Sequence, residues 1–434
     1  MKTTRAKTVA REPRRWRTPP PLIRGAESLE GMDILREVGS EAGVLLWQAY
    51  RNVMFWATAE PGERASLFSP EAGTRRLAEV AAARLPAELV GALNTVAALI
   101  AAPEDTAGDM VAEACTAIAR WAEEERHGAT ALAFTQAAAL AQPRNAALAL
   151  RVGQVARTRG EMARAETWFR HAIMISRQVG DWDSYARAYV AMGNMAIKRG
   201  AFPVAHRMHI KALRAARRKG LPELHGAAAH DLFVVATETG RHTQAEEYAR
   251  MAFRAYGAND PRVPMLAHDV AFLWMEQGHF ARALPVFEAV RPHFVLIPDR
   301  IALVANIARA AGGVGDREGF RKAWVEANRL SKDPEARPAL PASMLDLAQG
   351  AASLGEWDRA EQVAEQALAS AKEQRQAKVM FTAETLLDAI RNGRKTNRVA
   401  ARAGTEHQEA DQFAANIIRT LELAASSISR PPST

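Results

Sequence analysis

Apolar residues recur at three- and four-residue spacing through most of this chain, in short stretches divided by single glycines. Between residues 146 and 182, Leu148, Val152 and Val155 mark one helix and Gly160 ends it. Met162, Ala165, Trp168, Phe169, Ala172, Ile173 and Ile175 then mark a second. A glycine suits that junction because it takes the left-handed backbone conformation without a Cβ clash. The junction returns: Gly128, Gly160, Gly200, Gly240, Gly278, Gly315 and Gly355 stand 32, 40, 40, 38, 37 and 40 residues apart. A period of this length predicts a solenoid of helix pairs, each burying its apolar face only against its neighbours.

Other columns keep the same register. Val152, Met192, Leu232, Val270, Ile307 and Leu347 share one apolar place. The next residue is small in Gly153, Gly193, Ala271, Ala308 and Ala348, with Phe233 the exception. On the second helix Ala165, Ala205, Ala245, Ala283 and Ala360 recur, with Phe320 in the sixth unit, followed by Ala172, Ala212, Ala252, Ala327 and Ala367. Small residues at such places let two helices approach, and a larger one such as Phe169 fills the space between hairpins.

In these columns, over residues 112–375, the chain resembles the tetratricopeptide repeat, W-x2-L-G-x2-Y followed by A-x3-F-x2-A and a proline. It departs from that pattern in lacking most of the first tryptophans and the tyrosines, apart from Trp274 at a tyrosine place, and in a proline out of register. The period near 40 also exceeds the family's 34, which calls for longer helices. The resemblance implies an all-α, right-handed α-solenoid of about seven TPR-like helical hairpins with helical N- and C-terminal caps.

The flanks set the expected domains. Residues 1–31 are basic and proline-rich without an apolar period, and read as a disordered basic tail. Residues 32–110 read as an N-terminal helical cap or domain, broken at Pro61-Gly62, Pro70, Pro86 and Pro103; residues 111–376 hold the repeats. Residues 377–425 carry capping helices, the first of them (Val379 to Ile390) suited to the open end, and 426–434 form a second tail. Eight basic side chains and one acid, Glu12, give residues 1–24 seven of the net eight positive charges, so the folded body is nearly neutral. Arg11, Arg14, Arg15 and Arg17 could hold phosphate backbones non-specifically. A solvated tail is the alternative reading.

Catalytic and metal chemistry find little support. His230-Asp231 and His268-Asp269 sit at equivalent places 38 residues apart without further ligands, and His206 and His209 lack a carboxylate in their motif. No phosphate loop or serine elbow occurs, and the single cysteine, Cys115, reads as a buried thiol. We expect no enzyme and no cofactor, no membrane span, and a cytoplasmic setting. The resemblance implies that first helices line a concave groove. Gln154, Arg157, Arg187, Asn194, Lys198, His230, Glu238, His268, Phe272, Asn306 and Arg309 would face it, able to pair with a peptide backbone or a carboxylate. Solvated polar faces are the alternative at each position. The implied function is an adaptor for a protein or peptide segment. The alternatives are a ligand- or peptide-sensing regulatory module linked to transcription or signalling, and self-association through Val44 to Trp56.

Overall fold

The structure, a computed structural model, describes residues 31–393 and 405–428. The basic N-terminal segment with Arg11, Arg14, Arg15 and Arg17, the run from Arg394 to Arg402 and residues 429–434 lie outside the described residues. Among the described residues every regular element is helical.

Four helices come first: α1 (Met32–Val38), α2 (Ser40–Thr58), α3 (Pro70–Ala82) and α4 (Ala87–Ala101). Seven hairpins follow: α5 (Gly108–Glu124) with α6 (Gly128–Ala141), α7 (Ala146–Thr158) with α8 (Met162–Val179), and α9 (Trp182–Lys198) with α10 (Phe202–Lys219). Next stand α11 (Pro222–Glu238) with α12 (His242–Tyr256), and α13 (Val263–Glu276) with α14 (Phe280–Val290). The last pairs are α15 (Ile297–Val314) with α16 (Arg317–Leu330), and α17 (Leu340–Ser353) with α18 (Trp357–Glu373). Then come α19 (Ala377–Arg391) and α20 (Thr405–Ile428). The chain is an all-α repeat solenoid.

Gly160, Gly200, Gly240, Gly278, Gly315 and Gly355 all hold φ between 69° and 87°, each two residues before a second helix. That conformation is nearly free for glycine and strained for other residues. Gly128 does not belong with them. It begins α6, and the left-handed residue of the first hairpin is Arg126 (φ 63°), 34 residues before Gly160. The residues beyond a 34-residue period go into helix in the third hairpin, with members of 17 and 18 residues. In the fifth and sixth they go into 3-10 turns at Arg291–His293 and Pro334–Ala339.

The chain divides into two compact units, residues 1–192 and 193–434, the division falling within α9. In the first unit α1, α2 and α4 share one core with α5 and α6, built on Ile34, Leu46, Val53, Trp56, Leu89, Leu93, Cys115, Ile118 and Phe134. Residues 32–110 are thus continuous in packing with the first hairpin. Glu37 of α1 reaches the N-terminus of α6, where the Ala129 and Thr130 amides donate to its carboxylate at 2.7 and 2.8 Å. Burial opposes its ionisation, but those amides, the Thr130 hydroxyl and Arg159 together hold the carboxyl below its usual range. Burial pushes the Cys115 thiol up to about 12, so it is inert.

In the second unit the hairpins from α11 onward share a continuous core. α20 does not close the open end beside α19. It lies along α13 and α14, burying Ala410, Phe413, Ala414, Ile417 and Leu421, with Arg282 donating to Asp411 at 2.6 Å.

Where the two helices cross in the second to fifth hairpins, one side is large and the other small. A Cβ on Gly153 would stand 2.5 Å from the Phe169 ring, and one on Gly193 would stand 2.3 Å from the His209 ring. By the same register Ala271 stands opposite Phe287, and Phe233 opposite Ala249 with the roles reversed; all four are buried in one core. The odd Phe233 is therefore a compensated exchange and not a fault in the repeat. Phe233→Ala should lower stability by about 3–5 kcal/mol, and Ala249→Phe by about 1–3 kcal/mol through overpacking. The double variant should lose clearly less than the sum of the two. Urea denaturation followed by helical circular dichroism measures this; strict additivity would refute the pairing.

Candidate functional site on the first helices

Nine residues before four successive junction glycines stand Asp231, Asp269, Asn306 and Asp346. They lie on α11, α13, α15 and α17, and the structure joins three of them into one polar line with their neighbours. His230 Nε2 lies 3.0 Å from Asp269 Oδ2, and His268 Nδ1 lies 3.3 Å from the other oxygen of the same carboxylate. His268 Nε2 meets Asn306 Oδ1 at 3.2 Å, and Asn306 Nδ2 donates to Asp346 at 3.0 Å. Arg309 closes the line by donating to Asp346 at 2.9 Å and to Glu276. Tyr256 adds its hydroxyl at 3.4 Å from His230 Nδ1, and Gly226 leaves its ring room against α11.

The line is electrically compensated, and differently at its two ends. Burial opposes ionisation of Asp269, but the two histidines hold its carboxyl down to about 2. Burial raises Asp346 despite Arg309, whose own guanidinium is held charged by Asp346 and Glu276 against burial.

Upstream, His209 of α10 fills the crossing place that Phe169 and Phe287 fill elsewhere. It is fully buried, 3.4 Å from Asp231, and neither ring nitrogen finds a hydrogen-bond partner among the described residues. Burial, aided by His206, lowers it to about 4, whereas burial pushes Asp231 up to about 7 against His230 and an Asn194 hydrogen bond.

The residues expected to face a groove separate into groups. Asn306 is buried at 3% exposure and committed to His268 and Asp346, so it faces no guest. Arg309 is held by two carboxylates and is not free to take another. His230 and His268 are tied into the line, and Asn194 bonds Asp231. Phe272 is half-buried beside the core, while Lys198 and Glu238 are exposed. In the first unit Arg187 donates to Asp183 at 2.7 Å, and Arg157 has a buried Nε without a partner. Gln154 lines a cleft of about 370 Å³ with Arg126, Arg151 and Arg159.

The carboxylates Asp269, Asp346 and Glu276 were absent from the expected set. The column nine residues before each glycine is the signal that finds the first two.

In the second unit Lys378 of α19 lies 3.3 Å from Glu238 of α11, although three hairpins separate them. That ion pair brings α19 back within side-chain reach of α11. Among the described residues no helix is long and apolar enough to cross a membrane, and no three His, Cys, Asp or Glu are placed to hold a metal ion.

The buried pair generates a pH prediction. Asp231, raised when folded, contributes stability that is present below about pH 4 and lost as pH rises through about 7. His209, lowered when folded, contributes stability that is present above 6.5 and lost as pH falls through about 4. The slopes oppose, and the native pair should be nearly silent between pH 4 and 6.5. His209→Phe fits the ring's place and should leave a protein whose urea midpoint falls from pH 4.5 to 7.5. Asp231→Asn should make the midpoint rise over the same interval. Parallel pH profiles for the two variants would rule out the coupling.

Residues 144–218, which hold α7 to α10, match the tetratricopeptide repeat family. No curated protein matches the chain. Among solved structures it is similar to that of a functional characterisation of Pseudomonas aeruginosa PilF, at 17% identity over 53% of this chain and 97% of that one, with a TM-score of 0.43. It is similar to BtubC from P. vanneervenii at 16% identity over 52% and 92%, TM-score 0.40. A Rap protein complexed with competence and sporulation factor is 11% identical over 81% and 98%, TM-score 0.32. Scores of this size carry no weight here; the matched segment and the recurrence of its columns from α5 to α18 do. Residues 144–218 thus belong to the tetratricopeptide repeat family, set within the all-α repeat solenoid.

Proposed function

We propose that this repeat scaffold is a non-catalytic adaptor that takes a protein or peptide segment along the first helices of its second unit. The observation that supports this is the ion pair of Lys378 and Glu238, which brings α19 back to α11. It joins the two ends of the row α11, α13, α15, α17 and α19, and extended surfaces of such rows are how repeat proteins are used. The first helices keep apolar groups that the core covers only in part: half-buried Val234 and Phe272, and Met265 at 43% exposure. The regulatory alternative gains no observation of its own.

His230, Asn306 and Arg309 hold the fold together, so replacing them would test folding rather than binding. A photo-crosslinking residue at Phe272 tests the surface directly. Placed in the full chain in its native cells, it should give a discrete protein adduct. The same residue at Val325, exposed at 63% on the second helix α16, should not. Equal adducts at both positions, or none at Phe272, would remove this reading.

A further inference from the structure

α20 docks on α13 and α14 rather than on α12, and a cleft of about 790 Å³ stays open between α12 and α20. Two contacts span it. The Phe253 and Phe413 rings meet edge to face with centroids 5.5 Å apart, and Arg250 lies 3.7 Å from Glu409. Small-molecule sites have volumes of this order.

The charges around the cleft do not balance. Its one carboxylate, Glu409, turns to Arg250, which Glu246 also holds at 3.1 Å. Asp411, the next acid on α20, is taken by Arg282 at 2.6 Å. Arg254 of α12 and Arg419 of α20 line the same cleft and are exposed, and neither has an ion-pair or hydrogen-bond partner among the described residues. For Arg254 the sequence gives the reason. The places three and four residues away hold Arg250 and Met251 on one side and Gly257 and Ala258 on the other, with no acid among them. Glu422 stands three residues beyond Arg419 and closes no ion pair on it among the described residues.

Polar side chains run beside these arginines. Gln412, Asn416 and Thr420 each precede by one residue the buried Phe413, Ile417 and Leu421, so they are turned about 100° from the docked strip and line the cleft. Gln412 donates to Asn416 Oδ1 at 3.2 Å, which leaves the Asn416 NH2 group to donate elsewhere. Half-buried Phe253 adds apolar surface to the same lining.

We propose that the cleft between α12 and α20 binds a small organic phosphate, with Arg254 and Arg419 on the phosphate and Phe253 beneath the organic part. A phosphate monoester carries a charge of about −1.5 to −2 near neutral pH, which matches two uncompensated guanidiniums. Its three oxygens suit two forked donors and an amide, whereas one carboxylate brings a single charge and two oxygens. A ligand held from both walls also ties α20 to the repeats, so its binding stabilises the docked helix. The site goes beyond the adaptor reading. It uses a second helix and the C-terminal helix, not the first helices, so a negative result here leaves the peptide surface untouched.

Isothermal titration of the full-length chain tests this with phenyl phosphate, glucose 6-phosphate and adenosine monophosphate, against benzoate and adenosine. At least one of the phosphates should bind with a Kd below about 1 mM and weaken as salt rises. Benzoate should bind at least about 10-fold more weakly than phenyl phosphate, and adenosine should not bind. Arg254→Gln and Arg419→Gln should each weaken the phosphate about 10-fold, the usual worth of a charged hydrogen bond. Helicity and the urea midpoint without ligand should stay unchanged in both, since neither side chain has a partner in the fold. Arg321→Gln, an exposed arginine on α16, should have no effect. Failure of all three phosphates to bind would overturn the proposal, as would binding that ignores both cleft substitutions. Benzoate binding as tightly as phenyl phosphate would overturn the phosphate assignment.

Discussion

The crossing of the two helices inside each hairpin is the constraint on which the rest of this structure depends. Two helices at close approach cannot both carry a large side chain where their axes come nearest. Gly153 yields to Phe169, Gly193 to His209, and Phe233 receives space from Ala249. From the second hairpin to the fifth, a large side chain on one helix thus answers a small one on the other although the residues differ. Had the third hairpin kept a Cβ at Gly193, the His209 ring would have no place beside it.

The register of the repeat has its own consequence, visible only in the polar residues. Because α11, α13, α15 and α17 stack without slipping, residues nine before each junction glycine come into line, and a carboxylate on one helix can meet a histidine or asparagine of its neighbour. Such buried charge is weak evidence of added stability, since desolvation offsets much of the attraction. What it adds is mutual dependence. Removing Arg309 would leave Asp346 buried beside Glu276, a loss of about 3–5 kcal/mol by the usual cost of a stranded charge. Apolar columns repeat within every hairpin, but the line couples one hairpin to the next through groups that tolerate little misplacement.

The parts of this fold differ in how well they can be read from the chain. Period, junction glycines and alanine columns state local geometry directly, and the helices fall where those columns place them. Gly128 misled because glycine is equally at home at a helix start, and the left-handed residue there is an arginine, Arg126, whose type gives no warning. Asn306 and Arg309 looked like solvent-facing polar residues because burial of a polar group depends on a partner from another hairpin, 37 to 40 residues away. The docking of α20 was hidden for a related reason. An amphipathic stretch announces that it has an apolar face, but the partner face on α13 and α14 is spread over two other helices.

The first helices of the second unit therefore carry polar residues in two registers. His230, His268, Asp269, Asn306 and Asp346, nine or ten places before their junction glycines, are engaged in the line. Residues six and two before the glycine, among them Phe272, Glu276 and Glu238, stand further along the same helices and keep exposed surface. Arg309 occupies the outer register yet is drawn down to Asp346, and in that position it removes one positive charge from the surface while stabilising the layer beneath. A single repeat thus assigns one column to packing and another to joining hairpins.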